Sequence, residues 1–296
     1  MKTFALILVM SSLVVMAGGL IGRGNPNAIY IALFFAALMN VGAYWFSDKL
    51  ALMMAGAKKV SEQDEPRLHY LVDEVARKAN MPKPKVFVMQ NDTPNAFATG
   101  RDPQHAVVAV TTGIQRILNE QELQGVIAHE MAHIRNRDML IMTIVAVMAS
   151  AISSLAWMAQ WTMILGGHRN DREGGGGGVL GIVGMLVLMI VMPLAAMMVQ
   201  FAISRTREYS ADETGARILG NPLPLANALE KLEAAVHRRP MPATKPNEAM
   251  AHMYIVNPLG AASQHARESG GKFVNWFSTH PPMQERVRRL REMVLY

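Results

Sequence analysis

Cysteine is absent from the 296 residues, and acidic and basic side chains together make up only 18% of them. Without a thiol the chain has no disulfide framework and no thiolate metal site, so any metal ligands must be His, Glu or Asp. A soluble domain usually carries about a quarter charged residues. The shortfall, beside 51% hydrophobic residues, says that a good part of the surface does not face water. Aromatic residues are also few, at 6%, and much of the apolar mass comes from 24 methionines, unbranched side chains that suit helices. The formal charge of +6 is spread along the flanks of apolar segments and forms no single basic block. That pattern points to a bilayer surface as partner and away from nucleic acid.

Four charge-free apolar stretches are long enough to cross a bilayer, which takes roughly 20 helical residues. They cover residues 3–22, 28–46, 141–165 and 179–203. One charge at the centre of a span costs about 2.5–3.5 kcal/mol on insertion scales, so their uniform absence is informative. The first stretch, which follows Lys2 and ends in small residues, has the cleaved signal peptide as its alternative. Lys2, Lys49, Lys58, Lys59, Arg135, Arg137, Arg205 and Arg207 flank one face of the predicted spans, so the positive-inside bias puts both termini and the polar segments in the cytoplasm. Four parts follow: a transmembrane hairpin at 1–46, a polar segment at 47–140, a second hairpin at 141–203 and a polar helical part at 204–296. Five consecutive glycines at 174–178 mark a flexible external linker within the second hairpin.

In the polar segment the spacing predicts an amphipathic helix over 66–79, with Leu68, Leu71, Val72 and Val75 on one side. Valine-rich strands are expected at 85–90 and 106–112. Asn119 with Glu122 three residues later forms a capping box, so a helix should begin at Glu120. That helix carries His129-Glu130-Met131-Ala132-His133, and no proline stops it before the third span, so it is expected to run on into the membrane. Further helices are expected at 204–220, 226–238 and 283–294, with a proline-punctuated loop at 239–258.

Residues four apart share a helix face, so His129 and His133 can present both rings to one ion. Glu130 stands about 100° around the helix, beside such an ion, where a base could take a proton from a bound water. A catalytic zinc normally takes a third protein ligand and leaves one position open. Glu208, the first carboxylate after the fourth span, is the best candidate, because spans three and four leave and re-enter the membrane together. Pairing with a nearby arginine is its bland alternative. Asp212, one turn further, could orient a ligand imidazole. Asp138 has two readings, a support for the site or a partner for Arg135. A transporter would want ionisable residues inside the spans, and there are none. An idle membrane adaptor would not need Glu130.

The segments Asn95-Ala96-Phe97-Ala98-Thr99-Gly100, His129 to His133 followed by Asp138, Arg207-Glu208-Tyr209-Ser210-Ala211-Asp212 and Thr279-His280-Pro281-Pro282 occur in this order, together with four spans. In these the chain resembles the HtpX family of bacterial heat-shock membrane proteases, relatives of the CAAX prenyl endopeptidases. The resemblance covers nearly the whole chain. It implies a mainly α membrane protein in which four transmembrane helices carry a zincin-like α+β metallopeptidase domain. It implies one Zn2+ per chain on His129, His133 and Glu208, Glu130 as general base, and His280 near the metal as a stabiliser of the oxyanion. It also implies an edge strand at Asn95, Ala96, Phe97 and Ala98 that pairs with substrate, although Phe97 reads equally well as a core residue. The implied role is quality control in the bacterial inner membrane, cutting damaged or misassembled membrane proteins and unfolded proteins at the cytoplasmic face. A processing protease dedicated to one prenylated or membrane-associated substrate is the alternative.

Overall fold

The computed structural model describes residues 25–139, 205–242, 244, 247, 250–251, 253–258 and 281–294. The predicted spans at 3–22, 141–165 and 179–203, the glycine linker and His280 lie outside the described residues.

Helix α1 (Pro26–Met54) opens on Asn25, whose side chain accepts from the Asn27 N–H, with Pro26 pre-set for the first turn. It contains the second predicted span, and Tyr30, Ile31, Phe34, Leu38, Trp45 and Phe46 stand exposed on it. Some side chains of α1 are outside the description, and no helix among the described residues is long and apolar enough to cross a membrane.

The polar segment folds as a small sheet under helices. Strands β1 (Ala57–Lys59), β2 (Lys85–Met89), β3 (Ala96–Thr99) and β4 (Val107–Thr111) lie in the order β1-β2-β4-β3. β2 and β4 run parallel in the middle, and β3 returns antiparallel to β4 as an edge. Both central strands fall within a residue or two of their predicted bounds. β1, only three residues long and half-exposed, has no alternation to announce it. Helix α2 (Pro66–Lys78) buries Leu68, Leu71, Val72, Val75 and Ala76, the predicted stripe plus one alanine. α3 (Thr112–Ile117) follows β4 directly.

α4 (Glu120–Asn136) is the motif helix. Its capping box is formed as expected: Asn119 Oδ1 accepts the Glu122 N–H and Glu122 Oε2 accepts the Asn119 N–H, both at 2.9 Å. Asn119→Ala is expected to cost about 1 kcal/mol, read as a shift in the thermal midpoint. The helix does not run on toward the third span. Arg137 takes the left-handed conformation (φ 58°) and its N–H bonds back to the last turn, ending the helix at Asn136. A left-handed residue can close a helix without any glycine or proline in the sequence, which is why the stop was not legible.

α5 (Arg205–Leu219), α6 (Leu223–Arg238) and α7 (Met283–Glu292) complete the domain. α6 begins three residues before its predicted start, at Leu223-Pro224. α4 is packed on three sides, by α5, α6 and α2, and nearly every residue from Leu123 to Ile134 is buried. Two glycines permit this closeness. A Cβ on Gly125 would stand 2.7 Å from the Leu225 nitrogen of α6, and one on Gly215 would stand 2.9 Å from the His129 nitrogen of α4.

Candidate metal centre

The motif helix sits at the centre of the domain, so its histidines are buried rather than solvated: His129 is 1% exposed and His133 5%. Their rings stand edge to face with centroids 4.8 Å apart. α5 crosses at Gly215 and brings Glu208 between them, with Oε2 at 3.8 Å from His129 Nε2 and Oε1 at 3.5 Å from His133 Nε2. Ligands about 2.0–2.1 Å from a tetrahedral ion stand roughly 3.3 Å from one another. The three atoms are therefore spaced as a closed hand around a single cation, and all three residues are buried.

The opposite ring nitrogens also have acidic neighbours. His129 Nδ1 lies 2.9 Å from Asp212 Oδ1, and His133 Nδ1 lies 3.5 Å from Asp138 Oδ2. A carboxylate behind a histidine fixes its tautomer and turns the other nitrogen toward a metal. The left-handed turn at Arg137 makes the second contact possible, since it folds Asp138 back onto the helix it has just left. Asp138 also approaches Arg207 Nε at 4.0 Å, so the arginine beside it comes from α5 and not from its own helix.

Electrostatics agree with a cation at this point. Burial pushes the His129 imidazolium down, keeping that ring in the neutral, ligating form. Burial works the same way on His133, but Asp138, Glu208 and Glu130 outweigh it and push the ring up to about 9. Three carboxylates thus hold a positive charge where a divalent ion would supply one. Burial raises the carboxyl of Glu130 to about 7, aided by the nearby Glu208. The Ala98 backbone N–H donates to that carboxylate, which ties the base to the edge strand.

One functional side chain escaped the sequence reading. Arg286, one turn into α7, is fully buried. Its Nε and Nη2 donate to the two oxygens of Asp212 at 2.8 and 2.7 Å, and its Nη1 donates to the Ile255 carbonyl at 3.1 Å. Nη1 also stands 3.7 Å from Glu208 Oε2. Burial alone would raise the Asp212 carboxyl, but Arg286 and His129 hold it below the usual range. The signal was an arginine at a core position of an amphipathic helix otherwise rich in solvated arginines.

The edge strand β3 holds Ala96, Phe97 and Ala98 of the expected segment and runs on to Thr99, with Asn95 just before it. Asn95 O accepts the Thr111 N–H, so Asn95, Phe97 and Thr99 turn their main-chain groups toward β4, while Ala96 and Ala98 turn theirs outward. Phe97 is fully buried, its ring edge-on to Tyr254 at 5.5 Å. Its side chain belongs to the core, and only the alanines turn main-chain groups to the outer edge of β3.

Gly215 is the other residue that went unnoticed. Gly215→Ala should push α5 off α4 at His129 and move Glu208 away from the histidines. The expected result is zinc affinity lowered roughly 10- to 100-fold, the range seen when support around a metal site is disturbed, measured by chelator competition.

A helix carrying two histidines and a glutamate, crossed by a second helix that brings a carboxylate to both rings beside a mixed sheet, is the arrangement of a metallopeptidase. The model of peptidase family M48 matches residues 62–294. Curated relatives named HtpX protease homologues are similar over the full length: 51% identical in Persephonella marina, across 99% of this chain and 96% of the relative. The figures are 47% in Syntrophobacter fumaroxidans, across 99% and 98%, and 46% in Thermococcus kodakarensis, across 99% and 95%. Among solved structures, Ste24p of S. mikatae shares the fold with a TM-score of 0.52 at 17% identity, across 98% of this chain and 64% of that one. The chain belongs to peptidase family M48, in the group of the HtpX proteases.

Proposed function

We propose that this chain is a membrane-anchored zinc endopeptidase that hydrolyses peptide bonds in damaged, misassembled or unfolded proteins at the cytoplasmic face of the bacterial inner membrane. The observation that carries the reading is the buried triangle of His129, His133 and Glu208 with Glu130 beside it. These donors favour zinc among divalent ions. When bound, zinc would polarise a scissile carbonyl and acidify a water at neutral pH. Glu130 accepts the proton at a carboxylate oxygen and delivers it to the leaving amine nitrogen as the C–N bond breaks. Ala96 and Ala98 take the substrate backbone as an added strand, a mode that gives loose sequence preference and suits unfolded clients. Asn95 steadies that backbone through its carboxamide. His280 stabilises the oxyanion, the role that the family resemblance implies for it; Arg286, through which α7 reaches the centre, follows it by six residues in sequence.

The membrane part of the reading rests on the four charge-free stretches and on the apolar side chains that α1 exposes. The division into two hairpins and two cytoplasmic parts, with the catalytic halves at 47–140 and 204–296, follows from it. The test is cleavage of unfolded casein by the metal-free full chain in detergent, with and without added zinc. Zinc-dependent cleavage supports the proposal. A chain that binds zinc and leaves casein whole points to one dedicated substrate, and a chain that binds no zinc ends the metallopeptidase reading.

A further inference from the structure

The outward edge of β3 is already occupied by the chain itself. The Ile255 N–H donates to the Ala96 carbonyl at 3.1 Å. Asn95 Nδ2 donates to the Val256 carbonyl at 2.7 Å, and the Val256 N–H approaches Asn95 Oδ1 at 3.4 Å. Phe97 meets Tyr254 ring to ring, and Ala98 and Met253 together line the small cavity over His129, Glu130, His133 and Glu208. These contacts lay the segment along the outward edge of β3, joined to it by a main-chain bond at Ala96 and by the Asn95 carboxamide. Phe97 and Tyr254 share one apolar cluster, and Ala96, Ile255 and Val256 share the other. The cavity left over the metal-binding side chains is about 10 Å³, room for little more than a water. An extended peptide cannot add to β3 while this segment is there, because the acceptor it needs, the Ala96 carbonyl, is taken.

We propose that residues 253–256 are a strap that fills the substrate position of the enzyme and must leave before any substrate binds. The proposal rests on β3 being the substrate edge. Arg286 latches the strap through the Ile255 carbonyl, and the Met241 N–H holds its far end at the Pro258 carbonyl at 2.7 Å. The strap also states what displaces it. Tyr254, Ile255 and Val256 are large and apolar, so the competing peptide is an extended segment with bulky apolar residues in succession, as an unfolded membrane span provides. Folded polar proteins offer no such segment and leave the strap in place. The residue of a substrate that takes the place of Met253 stands beside Glu130.

The absence of cysteine allows a clean test, since a cysteine pair introduced as Ala96→Cys with Ile255→Cys has no competitor for disulfide formation. Two readouts are followed on the full chain in detergent: zinc-dependent casein cleavage, and fluorescence anisotropy of a labelled Met-Tyr-Ile-Val peptide added to metal-free protein. The oxidised pair should bind no peptide and cleave no casein, and reduction of the same sample should restore both. Ile255→Pro, which removes the N–H donated to Ala96, should tighten peptide binding about two- to tenfold, the effect of one net main-chain hydrogen bond. Peptide binding that is equal in the oxidised and reduced pair, or unchanged or weaker in Ile255→Pro at undiminished zinc affinity, overturns the strap. Peptide binding that follows the disulfide while no form cleaves casein keeps the strap and removes the catalytic reading, so the two failures are told apart.

Discussion

Exchanging Glu130 for glutamine should lower casein cleavage by about 10²–10⁴-fold, the share that a positioned proton acceptor supplies, while zinc affinity stays within a fewfold of wild type. The two halves of this result come from separate facts. Glu130 takes no part in the triangle formed by His129, His133 and Glu208, so its replacement removes no ligand. The carboxylate is buried and raised to about 7 chiefly by desolvation, so in the folded chain it is poised to take up a proton near neutral pH. Glutamine keeps the volume and still accepts the Ala98 N–H through its carbonyl, but it cannot take up the proton. The measurement pairs initial rates on casein with chelator competition for zinc on the same preparations. Cleavage that persists at near wild-type rate removes Glu130 as the base, and zinc lost along with cleavage makes it a ligand instead. The contrast is Glu208→Gln, in which zinc affinity and cleavage should fall together.

How much of this was legible depends on whether a feature is local. The capping box at Asn119 and Glu122, the stripe of α2 and both central strands are written in neighbouring residues, and each is found within a residue or two of its expected bounds. His129, Glu130 and His133 are local in the same sense, fixed by one helix turn. Glu208 and Asp212 were reached by a topological argument, that the helices on either side of a membrane hairpin emerge together. Their placement against His129 and His133 agrees with it. What stayed hidden is tertiary. The end of α4 is set by a left-handed arginine, a conformation that no residue type there announces. The value of Gly215 lies in the backbone it touches on another helix. The strap was read only as part of a proline-punctuated loop, because its partner strand is more than 150 residues earlier, and Phe97 could be assigned to the core only once Tyr254 was found against it.

Arg286→Met should cost about 3–5 kcal/mol of folding stability, because it leaves the Asp212 carboxylate buried without its partner. The same guanidinium serves three groups: it charges Asp212 behind His129, stands near Glu208, and holds the Ile255 carbonyl of the strap. Losing it should therefore also loosen the metal. Asp212, once unpaired, tends to take up a proton, and a neutral acid no longer fixes the tautomer of His129. Zinc affinity is expected to fall roughly 10- to 100-fold. A stability loss alone could arise from any buried residue, so the decisive experiment is a cycle. Asp212→Asn should lower zinc affinity by itself, and adding Arg286→Met on top should lower it little further, since the arginine acts through that carboxylate. If the two losses add in full, Arg286 reaches the metal by another route, through Glu208 or the strap. If Arg286→Met binds zinc as wild type does, it is a packing residue, and the orientation of His129 rests on Asp212 alone.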